Sequence, residues 1–224
     1  MTTRKITFRV PEALWASFTE QTKRAFINRA PFLDHMMSIE LDFVTADLGE
    51  FKLSPKARRH ISGALSKAGA KAVNIEIRQE TAEALDEVVE RHGLVRDALL
   101  CRLLVFLRGS DALFKYMEIP SESGESVRRS QLVFSMPASP MKAIEQVYTD
   151  PMYYIRTNLE ARWGCGIYDF DLPPSLNWAA CKLEDINVLG TKDNKTLARM
   201  AADFAAEEAS ALSVRKSSSL RRPE

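Results

Sequence analysis

At 224 residues the chain is long enough for two domains, and with 46% of its residues apolar it is not a largely disordered polymer. A net charge of +1 removes bulk positive charge as an argument for a nucleic-acid partner and leaves only the distribution of charge to argue from. No apolar run reaches bilayer-spanning length, Met1 to Lys5 leads straight into a strand, and Cys101, Cys165 and Cys181 form no paired framework, so a cytoplasmic protein with neither membrane span nor leader is expected.

The first element is a strand. In Lys5 to Val10 apolar and polar residues alternate, the period of a ribbon with one buried and one wet face. Pro11 ends it and suits the first turn of a helix, where a missing N–H costs nothing. From Glu12 to about Ala25 the residues Leu14, Trp15, Phe18, Thr22 and Ala25 recur at three- and four-residue steps, the pattern of an amphipathic helix. A second helix is predicted from an Asn28 N-cap through Phe32, Leu33, Met36, Met37 and Leu41. This unit occupies residues 1–50.

Residues 51–71 form a basic linker. Lys52, Lys56, Arg58, Arg59, Lys67 and Lys71 fall in a stretch that contains no acidic residue, and Ser54-Pro55 reads as the cap and first turn of a short helix. Residues 72–110 then repeat the opening unit without a gap. The shift that carries Ile6 onto Val73 also lays Phe8 on Ile75, Val10 on Ile77, Phe18 on Leu85, Leu33 on Leu100 and Met37 on Leu104, with Arg24 on Arg91 and Arg29 on Arg96. The repeat predicts a strand over 73–77, a helix from Glu80 to His92, a turn at Gly93 and a very apolar helix from Val95 to Leu107.

Turn signals return after Leu107, and 111–130 reads as a linker dominated by Pro120 to Ser126. Residues 131–213 read as an α+β or mostly helical module. It has an alternating strand from Gln131 to Met136, a helix from Ser139 to Tyr148 and another from Asp150-Pro151 to Gly164. An aromatic loop over 165–190 and an Ala-rich helix from Thr191 to Leu212 complete it. The Ser- and Arg-rich end, 214–224, is expected to be disordered.

One strand and two helices cannot bury their own apolar faces, and a lone strand leaves its backbone unpaired, so each unit needs a partner. The strand running into Pro11-Glu12 and the helix start Asn28 to Leu33 resemble the ribbon-helix-helix family of MetJ and Arc type, here over Arg4 to about Leu41 and again over Ala72 to about Leu107. The resemblance implies a mainly α protein with short β, its tandem copies forming a pseudo-dimer around one antiparallel ribbon. Two copies in one chain also look like the layout of TraY proteins, the relaxosome components of F-like conjugative plasmids.

What the resemblance implies for chemistry is double-stranded DNA read through the ribbon in the major groove. The outward residues are then Lys5, Thr7 and Arg9, with Ala72, Asn74 and Glu76. Lys and Arg suit guanine, Asn suits adenine, and Glu accepts from cytosine. Asn28, Arg29 and Arg96, at the starts of the second helices, match the family's phosphate contacts, although Ala30 and Asp97 depart from the small hydroxyl residue common there. Lys56, Arg58 and Arg59 could follow the phosphate backbone.

No catalytic or metal constellation stands out. His35, His60 and His92 are scattered, none sits near a cysteine at zinc-ligand spacing, and Trp163-Gly-Cys-Gly166 lacks a matching histidine. The expectation is a non-enzymatic protein without cofactor or metal: a sequence-specific transcriptional regulator of a mobile genetic element such as a plasmid. The alternatives are a relaxosome accessory protein in conjugation and an antitoxin-type repressor. Residues 131–213 would then serve a homo-oligomer or a protein partner.

Overall fold

The computed structural model describes residues 2–119 and 139–182. The expected strand over 131–136, the helix over 191–212 and the tail over 214–224 lie outside the described residues. Strand β1 (Thr3–Pro11) and strand β2 (Ala70–Arg78) pair antiparallel within the one chain, and both are longer than their alternating cores suggest. Thr3 stands opposite Arg78, Pro11 opposite Ala70, and Thr7 opposite Asn74 at the centre. The shift that superposes the two copies carries Thr7 onto its own cross-strand partner. An approximate two-fold axis therefore passes between these two residues.

Alternation gives the ribbon two faces. Ile6, Phe8 and Val10 with Ile75 and Ile77 are buried beneath it, and each such side chain stabilises the fold by roughly 1.5–3 kcal/mol relative to exposure. Under this face lie α1 (Glu12–Arg24), α2 (Arg29–Leu48), α4 (Gln79–Arg91) and α5 (Arg96–Arg108). The second helices are exchanged: α2 packs on β2 and α4, whereas α5 packs on β1 and α1. Neither unit has a core without the other.

Helix α2 runs to Leu48 instead of stopping near Leu41, because Val44 and Leu48 continue its buried stripe until Gly49 turns the chain with φ of 51°. The basic linker forms α3 (Pro55–Lys67). The Ser54 hydroxyl accepts the Ala57 N–H at 3.1 Å, and Ala57, Ile61 and Leu65 face the core. Residues 111–116, assigned to a linker by their turn signals, are instead helix α6 (Asp111–Tyr116), capped by Ser110 and anchored through buried Leu113 and Met117. Six residues are too few to display a helical period.

Helices α7 (Pro140–Thr149) and α8 (Tyr153–Trp163) and a 3-10 turn (Pro174–Ala179) follow. The described part of residues 131–213 shares the core of the ribbon. Met152, Ile155, Leu159, Ile167, Tyr168 and Trp178 join the same apolar cluster as the ribbon and its helices.

Polar ties fix this segment. Arg102 of α5, fully buried, donates through Nε to the Ile167 carbonyl at 2.8 Å and through its Nη atoms to the carbonyls of Phe170 and Ala179. The two-fold equivalent of Arg102 is His35 of α2, whose Nε2 meets the Tyr148 carbonyl at 3.3 Å. The Tyr168 hydroxyl donates to buried Glu40 at 2.9 Å, and the Tyr168 N–H donates to Asp47 at 2.9 Å. A Cβ on Gly166 would lie 2.0 Å from the Asp47 carboxylate, so only glycine permits this approach. Arg156 bridges Glu40 and Asp150.

Candidate nucleic-acid interface

The face of the ribbon opposite the core carries every residue assigned to base contact from the sequence. Lys5, Thr7 and Arg9 are exposed on β1, and Ala72, Asn74 and Glu76 are exposed on β2. The register sets Lys5 across from Glu76, Thr7 from Asn74, and Arg9 from Ala72. Among the described residues the Lys5 ammonium and Arg9 guanidinium form no ion pair or hydrogen bond. The Thr7 hydroxyl donates to Asn74 Oδ1 at 2.6 Å, which leaves the Asn74 amide nitrogen free to donate outward. The Thr3 hydroxyl donates to Glu76. Thr3 therefore belongs to this face as well, since it shares the alternation of Lys5, Thr7 and Arg9 although it precedes the apolar run that makes the strand legible.

The face is not two-fold symmetric. The equivalent of Lys5 is Ala72 and that of Arg9 is Glu76, so one end of the ribbon presents Arg9 beside a methyl group and the other presents Lys5 beside a carboxylate. Any duplex read by these residues meets different chemistry at the two ends.

The starts of the second helices flank the ribbon, and they too differ. Arg96, the first residue of α5, donates through Nη2 to the Thr7 carbonyl at 2.8 Å, which fixes that helix start against β1. Its equivalent Arg29 turns onto its own unit instead. Nη1 of Arg29 donates to Thr19 at 2.9 Å, and its guanidinium carbon lies 4.7 Å from the centre of the Trp15 ring. Each guanidinium carries five N–H donors, so both retain donors for a phosphate. Asn28 occupies the N-cap of α2, yet its side chain makes no capping hydrogen bond, and the expected capping interaction is absent. The Asn28 side chain takes up none of the N–H groups of that first turn, from which Pro31 is missing one, and the helix dipole there favours an anion. Asp97, in the first turn of α5, opposes one there.

Linker residues 51–53 close over the α5 flank. The His92 ring donates through Nδ1 to the Phe51 carbonyl at 2.8 Å, and the Leu53 N–H donates to the His92 carbonyl at 2.8 Å. Beyond them Lys56, Arg58, Arg59 and Lys67 are exposed on α3, which lacks any acidic residue and leads directly into the Ala70 end of the ribbon. Sequence proximity alone did not reveal that this helix reaches both ribbon strands.

Most of the buried ionisable groups with shifted titration lie away from this face, under residues 152–181. Burial raises the Glu40 carboxyl above its ordinary range despite Arg156 and the Tyr168 hydroxyl, and burial likewise pushes the Cys181 thiol up to about 11. Burial also holds Cys101 as a thiol, and its sulfur donates to the Arg9 carbonyl at 3.4 Å. Among the described residues no group of three or more His, Cys, Asp or Glu side chains is placed to hold a metal ion, and no helix is long and apolar enough to cross a membrane. Comparison of the chain with protein-family models, curated proteins and solved structures finds no match.

Proposed function

We propose that the chain is a sequence-specific double-stranded DNA-binding regulator of transcription, a tandem ribbon-helix-helix protein whose two units form a single-chain pseudo-dimer. The observation that carries this reading is the two-stranded ribbon, apolar beneath and open above, with Lys5, Arg9 and the Asn74 amide nitrogen free to address base edges. A twisted antiparallel ribbon fits the major groove, and these residue types match guanine and adenine acceptors there. Arg96 with Lys56, Arg58 and Arg59 supplies charge for the flanking phosphates and makes binding salt-dependent. The unequal ends of the ribbon favour a non-palindromic site.

Footprinting on DNA flanking the gene tests the reading. Protection of a promoter is the expected result, and protection beside a nicking site would move the assignment to a relaxosome accessory role. Lys5→Ala and Arg9→Ala should each weaken binding to the protected site by roughly 1–3 kcal/mol, with melting temperature unchanged because both side chains face solvent. Unaltered affinity in both variants would remove the ribbon from the recognition surface.

A further inference from the structure

The two copies differ most sharply in the turn between their first and second helices. Gly93 sits there in the second copy with φ of 60°, and a Cβ added to it would lie 3.3 Å from the Leu53 carbonyl. The first copy holds Phe26 at the equivalent position, with φ of 57° and 97% of its surface exposed. Left-handed backbone is disfavoured for a bulky L-residue, and an aromatic ring gains nothing from full exposure to water. Neither the local conformation nor the core accounts for phenylalanine here.

Its surroundings indicate what would cover it. Lys23, Arg24 and Asn28 are exposed beside it, and residues 21–33 contain no carboxylate. Arg96 fixes the start of α5 against β1, and the exchanged packing of α2 on β2 sets the start of α2 on the opposite flank of the ribbon. Phe26 precedes that start by three residues, and among the described residues no linker closes over it as 51–53 do at the other flank.

Resting on the DNA-binding reading above, we infer that Phe26 is a wedge that enters the duplex beside the ribbon, against the sugars and one base step at the minor-groove edge. Lys23, Arg24 and the start of α2 hold the adjoining phosphates. Apolar side chains placed this way unstack a step and kink the duplex. With Gly93 in the other copy, the kink falls on one side of the site only.

Phe26→Gly is the informative variant, because glycine suits this backbone conformation and cannot cost stability through strain. A duplex selected from a random-sequence pool by the wild-type protein serves as probe, with affinity read by gel shift and bending by circular permutation. The expected result is a loss of about tenfold in affinity, equivalent to roughly 1.4 kcal/mol, with a smaller bend and an undiminished melting temperature. Wild-type affinity and bending in Phe26→Gly, alongside loss of binding in Arg9→Ala, would overturn the wedge and leave the ribbon reading intact. A selection that enriches no duplex would overturn both. Unchanged DNA binding with an altered sedimentation coefficient of the free protein would assign Phe26 to contact between copies and also overturn the wedge.

Discussion

Position 34 shows how one residue can hold the two copies together. Asp34 of α2 accepts the Arg78 backbone N–H at 3.0 Å and the Arg78 Nε at 2.6 Å, so a side chain of the first unit fixes the end of β2 where it passes into α4. Its equivalent by the 67-residue shift, Cys101, instead meets the Arg9 carbonyl, two residues short of the position that matches Arg78. The same geometric position thus serves as an acceptor in one copy and a weak donor in the other. Asp34→Ala leaves a half-buried N–H and a guanidinium without their carboxylate, and should cost roughly 2–3 kcal/mol. A shift of the urea midpoint checks this, while the affinity for DNA should fall only as far as the ribbon itself loosens.

Among the elements, α5 is the one on which the rest depend. Its outer end contributes Arg96 to the ribbon, its middle packs on α1 and β1, and its Arg102 organises the carbonyls of the segment from Ile167 to Ala179. Burial alone lowers the pKa of this arginine, and Asp47 and Asp171 offset part of that cost from a distance. Arg102→Met keeps the volume but strands three carbonyls, a loss of about 3 kcal/mol or more. Amide exchange should accelerate from Ile167 to Cys181 well before it changes in β1 and β2. Uniform acceleration through the ribbon would mean that α5 and the C-terminal segment unfold as one unit.

Across the described molecule, residues 139–182 share one apolar core with the ribbon and its helices, and Glu40 ties the two through Arg156 and Tyr168. Burial raises the Glu40 carboxyl from its ordinary value of 4.5, with Arg156 and Tyr168 acting against the shift. A carboxyl whose folded pKa is raised contributes most to stability below its unfolded value, and the contribution is lost as pH rises through the folded pKa. Melting temperatures of wild type and Glu40→Gln, compared from acid to neutral pH, should therefore differ most in favour of wild type at the acid end. A difference that grows toward neutral pH would show that the Arg156 ion pair outweighs burial.

Much of this was legible in the chain of residues. The alternation of Ile6, Phe8 and Val10, repeated at Val73, Ile75 and Ile77, determines which face of the ribbon is wet, because a strand can bury only every second residue. The gapless shift marks two stretches of like pattern, each with an apolar face it cannot bury alone. Alternation and helical period are local signals and survive without a fold. Tertiary structure alone decided that α2 crosses to β2, that residues 111–116 form a helix, and that Arg102 finds its carbonyls 65 to 77 positions away. Such partners lie far apart along the chain, share no period, and become neighbours only once the apolar faces have closed on one core.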